Sequence, residues 1–168
     1  NVVMNGYYST ANAKKPEMKA GFKLSDISFS QAYKELDMVQ QLAPIFENLK
    51  GNFSGSINVL TDLDAAMSPV LETMQGDGSL STRDLSLSGV KVKDMTLDFT
   101  IKDGRVETKP FDIKMGDYNL NLSGSTGLDQ TIDYSGKIKL PASTGISKLM
   151  TLDLKIGGSF TSPKVSVE

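Results

Sequence analysis

The 168-residue chain contains no cysteine, no histidine and no tryptophan. The first two absences remove thiolate nucleophiles, disulfides, Cys/His zinc sites and every histidine-based catalytic triad. A basic field is also missing: 18 Lys and Arg are set against 20 Asp and Glu, for a formal net charge of −2. The lysines are scattered, so nothing holds a phosphate backbone and a nucleic-acid partner is excluded. Long apolar runs are lacking too, since no stretch approaches the roughly 20 residues that cross a bilayer as a helix. The chain opens on Asn1 with no charged segment leading into an apolar one. A soluble piece of a larger protein, or one whose anchor has been removed, is therefore expected.

What is present is period-two alternation. In Lys93–Lys102, Met95, Leu97, Phe99 and Ile101 share one face, with Asp94, Thr96, Asp98 and Thr100 on the other. That is the pattern of a half-buried strand. Asp103-Gly104 then forms a hairpin turn, because glycine accepts the positive φ of primed turns. The chain resumes as a strand from Arg105 to Met115, with Phe111, Ile113 and Met115 together, and turns again at Gly116-Asp117. The hairpin is expected to pair Met95–Ile101 with Phe111–Met115. Leu120 and Leu122 alternate next, Gly124 to Gly127 break the strand, and Thr131–Leu140 follows, ended by Pro141. Leu152, Leu154 and Ile156 mark a strand within Thr151–Phe160, and a last one runs from Lys164 to Val167. Successive strands with short turns make an antiparallel meander, apolar on one side and polar on the other.

The first half is mixed. Met18, Ala20, Phe22 and Leu24 alternate, and Ile27 and Phe29 continue out of phase, which predicts a bulge. From Gln31 to Leu49, Tyr33, Leu36, Val39, Leu42, Ile45, Phe46 and Leu49 recur every three or four residues. This predicts one amphipathic helix bent or split near Pro44, with Ser30 as N-cap and Gly51 as its stop. Ala65–Met74 is expected to form a short helix, flanked by strands around Ile57 and Val59 and around Leu80, Leu85 and Leu87. The fold class is α+β, mainly β: a twisted or curved antiparallel sheet of many short strands with one or two helices on one face, in a single domain spanning residues 1–168.

Candidate chemistry is sparse. Gly51, Gly55, Gly76 and Gly78 join helix ends to strands without the frame of a phosphate loop. Asp62 and Asp64 are spaced as in a calcium loop but lack its glycine and distal glutamate. Asp77, Asp84, Asp94, Asp98 and Asp103 fall at turns or on polar faces. No Gly-x-Ser-x-Gly elbow occurs, and no Ser-x-x-Lys sits where it would be activated. No catalytic, cofactor or metal residue is expected. The apolar face remains. It fits a sheet packed on the Tyr33–Leu49 helix, which pattern alone favours. It also fits an elongated curved sheet whose partly open side takes acyl chains on Leu97, Phe99, Ile113, Leu120 and Leu122.

Several stretches, in order, resemble the C-terminal region of the AsmA-like family. They are Leu49-Lys50-Gly51-Asn52-Phe53-Ser54-Gly55-Ser56, Pro69–Leu80, and Leu97–Val106 with its acidic-glycine turn. Tyr118–Asp129 is similar to the family's glycine strand and leucine–aspartate turn, and Ile156–Val165 to its closing glycine–proline strand. One feature departs: only Lys91 to Asp94 intervene where family members carry a helical segment. The resemblance implies a periplasmic body, held in the inner membrane by an N-terminal helix outside this chain, that acts in outer-membrane assembly. It also implies kinship with bridge-like lipid-transfer proteins, whose β-sheets form hydrophobic grooves, and it brings no catalytic residues. The expected partners are membrane lipids through their acyl chains, or envelope proteins. A protein-binding module is the alternative function, and a carboxylate-dependent glycan hydrolase stands behind both.

Overall fold

The computed structural model describes residues 1–9, 15–87, 89–139, 151–159 and 161–167. The strands are β1 (Val2–Ser9), β2 (Glu17–Ser28), β3 (Leu49–Asp62), β4 (Gln75–Leu87), β5 (Val90–Lys91), β6 (Thr96–Lys102), β7 (Arg105–Met115), β8 (Tyr118–Gly127), β9 (Ile132–Lys139), β10 (Thr151–Gly158) and β11 (Pro163–Val167). They form one 11-stranded sheet in the order β1-β2-β3-β4-β6-β7-β8-β9-β10-β11, with β5 paired only to β4. Every pairing is antiparallel, so the sheet is a meander in which sequence neighbours are spatial neighbours. At about 4.8 Å between strands, its breadth is roughly 45 Å.

Directly opposed residues in an antiparallel pair lie on the same face, so the register assigns every side chain. Ala20 opposes Val59, Val59 opposes Gly76, and Gly76 opposes Ile101. Ile101 then opposes Val106. Further along, Ile113 opposes Leu120, Leu120 opposes Ile138, and Ile138 opposes Leu152. This inner face carries Met18, Phe22, Phe53, Ile57, Leu80, Phe99, Leu122 and Leu154 as well. The outer face carries Lys19, Lys23, Asp77, Asp98, Thr100, Asp112, Asn121, Lys137 and Asp153. Lys137 and Asp153 are cross-strand partners 3.8 Å apart, and Asn121 donates to Asp112 at 3.0 Å.

Three bulges keep the inner face apolar. Between Leu24 and Ile27 the register slips, Asp26 takes φ 56°, and its N–H bonds Ser54 Oγ at 2.9 Å. The extra residue puts Leu24 and Ile27 on one face despite their odd spacing, as the phase shift in the sequence predicts. A second slip lies between Lys50 and Asn52 opposite Asp84, which has φ 53°, and it returns Leu85 to the core. The third, between Thr108 and Phe111, holds Pro110, a residue with no N–H to lose from a ladder. Each bulge also sharpens the local twist and bends the sheet.

The helical segment differs from expectation. The split near Pro44 is present, but a further break at Leu36 leaves α1 (Phe29–Glu35), α2 (Asp37–Leu42) and a 3-10 turn over Pro44–Asn48. Ser28, not Ser30, is the N-cap, accepting from the Gln31 N–H at 3.4 Å. Leu36 ends α1 in an extended conformation, and the Gln40 side chain donates to the Tyr33 carbonyl at 2.8 Å. Pro44 forces Ala43 out of the helical region, to φ −142°. Gly51 lies inside β3 at the second bulge rather than stopping a helix. Ala65–Met74 is not a helix either. Asp64 Oδ1 captures the N–H groups of Ala66 and Ser68, both at 2.9 Å. That capture favours a turn over a helix, and only Leu71–Thr73 closes a 3-10 turn.

Asp103-Gly104 forms the two-residue turn that the sequence predicts, with φ 52° and 74° and with Lys102 opposite Arg105. The register then corrects the expected pairing: β6 pairs with Arg105–Thr108, and Phe111–Met115 pairs with β8 alone. Gly124 to Gly127 do not break a strand, since β8 runs through to Gly127. The short crossing at Lys91–Asp94 is made by β5 folding back on β4. Val92 is buried there, and the Lys93 N–H bonds the Lys114 carbonyl at 2.9 Å. Leu140, Pro141 and Phe160 lie outside the described residues.

Candidate functional site: the inner face of the sheet

Among the described residues, the inner face engages every strand of the meander. Its middle is filled from the sheet itself. Gly78 lies opposite Phe99, and a Cβ there would sit 2.6 Å from the Phe99 ring. Gly136, opposite both Leu122 and Leu154, leaves room for the Leu122 methyls, 2.9 Å from where its Cβ would be. Placing glycine beside a large side chain lets the strands coil tightly and tucks the large residue into the fold of the sheet.

The five sequence-named residues fall on this one face. Leu97 and Phe99 are on β6, Ile113 on β7, and Leu120 and Leu122 on β8. Phe99 and Leu122 are 8% and 7% exposed, whereas Leu97, Ile113 and Leu120 are half-buried. Sequence reasoning did not assign Phe22, Ile57, Val106, Ile132, Tyr134, Ile138 or Ile156 to the candidate site, yet they are half-buried on the same face and continue it over β2, β3, β7, β9 and β10. Alternation marks each of these strands, so the signal was there. The register joining them was not.

Among the described residues, cover over this face is local. At one end of the strands, α1 packs on β2 and β3, where Phe29, Phe46 and Phe53 form an aromatic cluster. Phe29 stands edge-on to Phe46 with centroids 4.8 Å apart, and also lies 4.8 Å from Phe53. At the other end, Leu63 and Met74 close the β3–β4 connection, and Thr61 Oγ1 there donates to the Val70 carbonyl at 3.1 Å. The Tyr33–Leu49 segment thus packs on one corner of the sheet, not along its breadth.

Ionisable groups stay on the rims and the outer face. Arg105 binds Ser125 Oγ through Nε and Nη2 at 3.1 and 2.9 Å, and Thr131 Oγ1 through Nη1 at 2.8 Å. Thr131 in turn donates to Asp129 from its hydroxyl at 2.6 Å and its N–H at 3.0 Å. Those two bonds, helped by the nearby Arg105, hold the Asp129 carboxyl below its ordinary value of 3.8. This cluster ties the β8–β9 turn to β7. Glu17, Asp62, Glu72 and Asp103 line a shallow polar depression of 290 Å³ on the same rim, and Glu17, Glu72 and Asp103 are exposed. Among the described residues, no group of three or more acidic side chains is arranged to hold a metal ion, and no helix is long and apolar enough to cross a membrane.

The fold and site define a class: a single-sheet antiparallel meander with a bulge-corrected apolar inner face. No protein-family model matches the chain, and no curated protein or solved structure matches it.

Proposed function

We propose that this chain is a non-enzymatic, AsmA-like segment of the cell envelope whose inner face receives lipid acyl chains during outer-membrane assembly. The observation that carries the reading is the apolar lane running from β2 to β10, interrupted by no charged side chain in the register. The other residues along that path are glycines and threonines, among them Gly55, Gly76, Gly78, Thr61, Thr82 and Thr108. A stable globular sheet needs apolar residues only where a second layer covers them. Among the described residues the helical cover is confined to one corner, yet the alternation persists across the whole breadth. An acyl chain gains about 0.8 kcal/mol per buried CH₂, so a lane covering part of a chain retains it. On this reading the protein is periplasmic, anchored in the inner membrane by a segment outside this sequence, and needs no cofactor.

A second reading, a module that docks envelope proteins, draws on the free edge strands rather than on the face. Photo-crosslinking separates the two. Photoreactive residues at Phe99 and Leu120 should capture phospholipid in cells, while those at Asp98 and Asn121 on the outer face should not. Crosslinks to protein alone at all four positions would remove the lipid reading. Native mass spectrometry of the purified chain should likewise show retained phospholipid, lost when Leu120 becomes Asp.

A further inference from the structure

Gly21 sits in the middle of β2, and the packing of the sheet does not account for it. Its φ lies outside the left-handed region, so the backbone does not demand glycine. At Gly78 and Gly136 a Cβ would run into a ring or a neighbouring strand. At Gly21 the nearest atom is Asn58 Oδ1, the movable end of a side chain, at 3.0 Å, and the Asn5 carbonyl is next at 3.8 Å. A glycine inside a strand weakens it, and such a position often marks where a ligand comes close to the backbone.

The space above Gly21 is on the outer face, opposite the apolar lane. The register sets Asn5, Gly21, Asn58 and Asp77 in one row across β1 to β4, and Tyr7, Lys19, Leu60 and Gln75 in the next. With Lys23 they border a concavity of 650 Å³, within the range of about 300–1,000 Å³ typical of small-molecule sites. Tyr7 and Leu60, on either side of Lys19, are 61% and 41% exposed. Elsewhere on the outer face polar groups are tied to one another: Asn121 donates to Asp112, and Lys137 pairs with Asp153. Among the described residues, the side chains of Asn5, Asn58, Gln75, Asp77, Lys19 and Lys23 take up no such bond or ion pair within the chain.

We propose that this concavity binds a sugar ring. The three amides each donate and accept, Asp77 only accepts, and the two lysines only donate. A hydroxyl does both, so a ring with adjacent hydroxyls satisfies this mixed set. A purely anionic ligand would meet the Asp77 carboxylate, and an apolar one would strip water from six polar groups without replacing it. The C–H face of a pyranose matches the Tyr7 ring, a flat apolar body with a polar tip. With no side chain at Gly21, the sugar can lie low enough for Asn5 and Asn58 to reach its edge from both sides. This site is on the face away from the lane, and it stands whether or not the lane takes lipid.

Titration of the isotopically labelled chain with maltose, N-acetylglucosamine and glucuronate, followed by amide chemical shifts, tests the site. The hydroxyls these sugars share are the recognised feature. Each should therefore move the amides of Tyr7, Lys19, Gly21, Asn58 and Asp77, saturate at millimolar concentration, and leave those of β8 and β9 in place. Gly21→Thr fills the floor with a better strand former, so its melting temperature should rise while sugar affinity falls about tenfold. Asp77→Ala, at an exposed position, should weaken binding about tenfold as well. Shifts caused by inorganic phosphate but by none of the sugars would make this an anion site and overturn the proposal. So would the absence of any sugar-dependent shift, or sugar shifts that Gly21→Thr leaves unchanged.

Discussion

Phe99 and Gly78 are direct cross-strand partners, and the Phe99 ring occupies the space that any side chain on Gly78 would need. The ring atom Cζ lies 2.6 Å from the Cβ position, and the Ser56 carbonyl lies 2.9 Å from it on the other side. One neighbour is a rigid ring and the other is backbone, so neither yields cheaply. Gly78→Ala should destabilise by about 1–3 kcal/mol through overpacking, even though alanine is the better strand residue. Thermal or urea unfolding measures this. A neutral or stabilising Gly78→Ala would mean that the ring does not lie over the glycine.

Phe99 itself tests the face assignment. Phe99→Glu buries an unpaired carboxylate in place of a large apolar group and should cost about 3 kcal/mol or more. Asp98, one residue away, points to the outer face and is exposed. Asp98→Asn should change stability by no more than about 0.5 kcal/mol. Equal melting temperatures for the two variants would invert the faces.

How much of this was legible in the sequence depends on how local the determining physics is. The Asp103-Gly104 turn and the Ile27 bulge were readable, because two residues or one phase shift decide them. The bulge at Pro110 was not read, although its signal is of the same kind: Val106 and Thr108 are out of phase with Phe111 and Ile113. In Gln31–Leu49 the break near Pro44 was readable, and the one at Leu36 was not. A 3.6-residue period does not reveal that the Gln40 side chain caps the Tyr33 carbonyl and lets the chain turn at Leu36. The Ala65–Met74 helix failed for a related reason, since Asp64 offers the backbone a closer partner than the next helical turn does. For the candidate site, alternation identified Leu97, Phe99, Ile113, Leu120 and Leu122 singly. That they form one lane with Ile57, Ile138 and Leu152 depends on register between strands, which no single strand encodes.

The Arg105–Asp129–Thr131 cluster sets an acid-stability expectation. The folded Asp129 carboxyl sits below its ordinary 3.8 because Thr131 donates to it twice and Arg105 lies 3.9 Å away. A depressed folded value means a stabilising contribution that is fully present above the unfolded value. It is lost as pH falls through the folded one. The stability gap between the parent chain and Asp129→Asn should therefore be constant from neutral pH down to about that ordinary value and should close below it. Melting temperatures over a pH series measure the gap. A gap that widens on acidification would show that the carboxylate is not favoured in the folded chain.

The helical corner should come loose without the sheet. Of its three elements, α1 packs on β2 and β3, while α2 and the Pro44–Asn48 turn pack chiefly on α1 and on each other. The Pro44–Asn48 turn reaches the core through Phe46, whose ring lies 4.8 Å from Phe29 and 5.5 Å from Phe53. Phe46 is half-buried, so Phe46→Ala should cost roughly 2 kcal/mol, less than the ~3–5 kcal/mol of a fully buried phenylalanine. The loss should be local, because the β3 ladder is held by β2 and β4 on its two sides. Hydrogen exchange should speed up for amides from Asp37 to Asn48, while those of Phe53 to Thr61 keep their protection. Exchange that rises equally in both segments would make the corner an integral part of the core. Exchange confined to Asp37–Asn48 would identify it as a separately opening unit at one end of the apolar lane, next to Phe53 and Ile27, where its release would lengthen the exposed face.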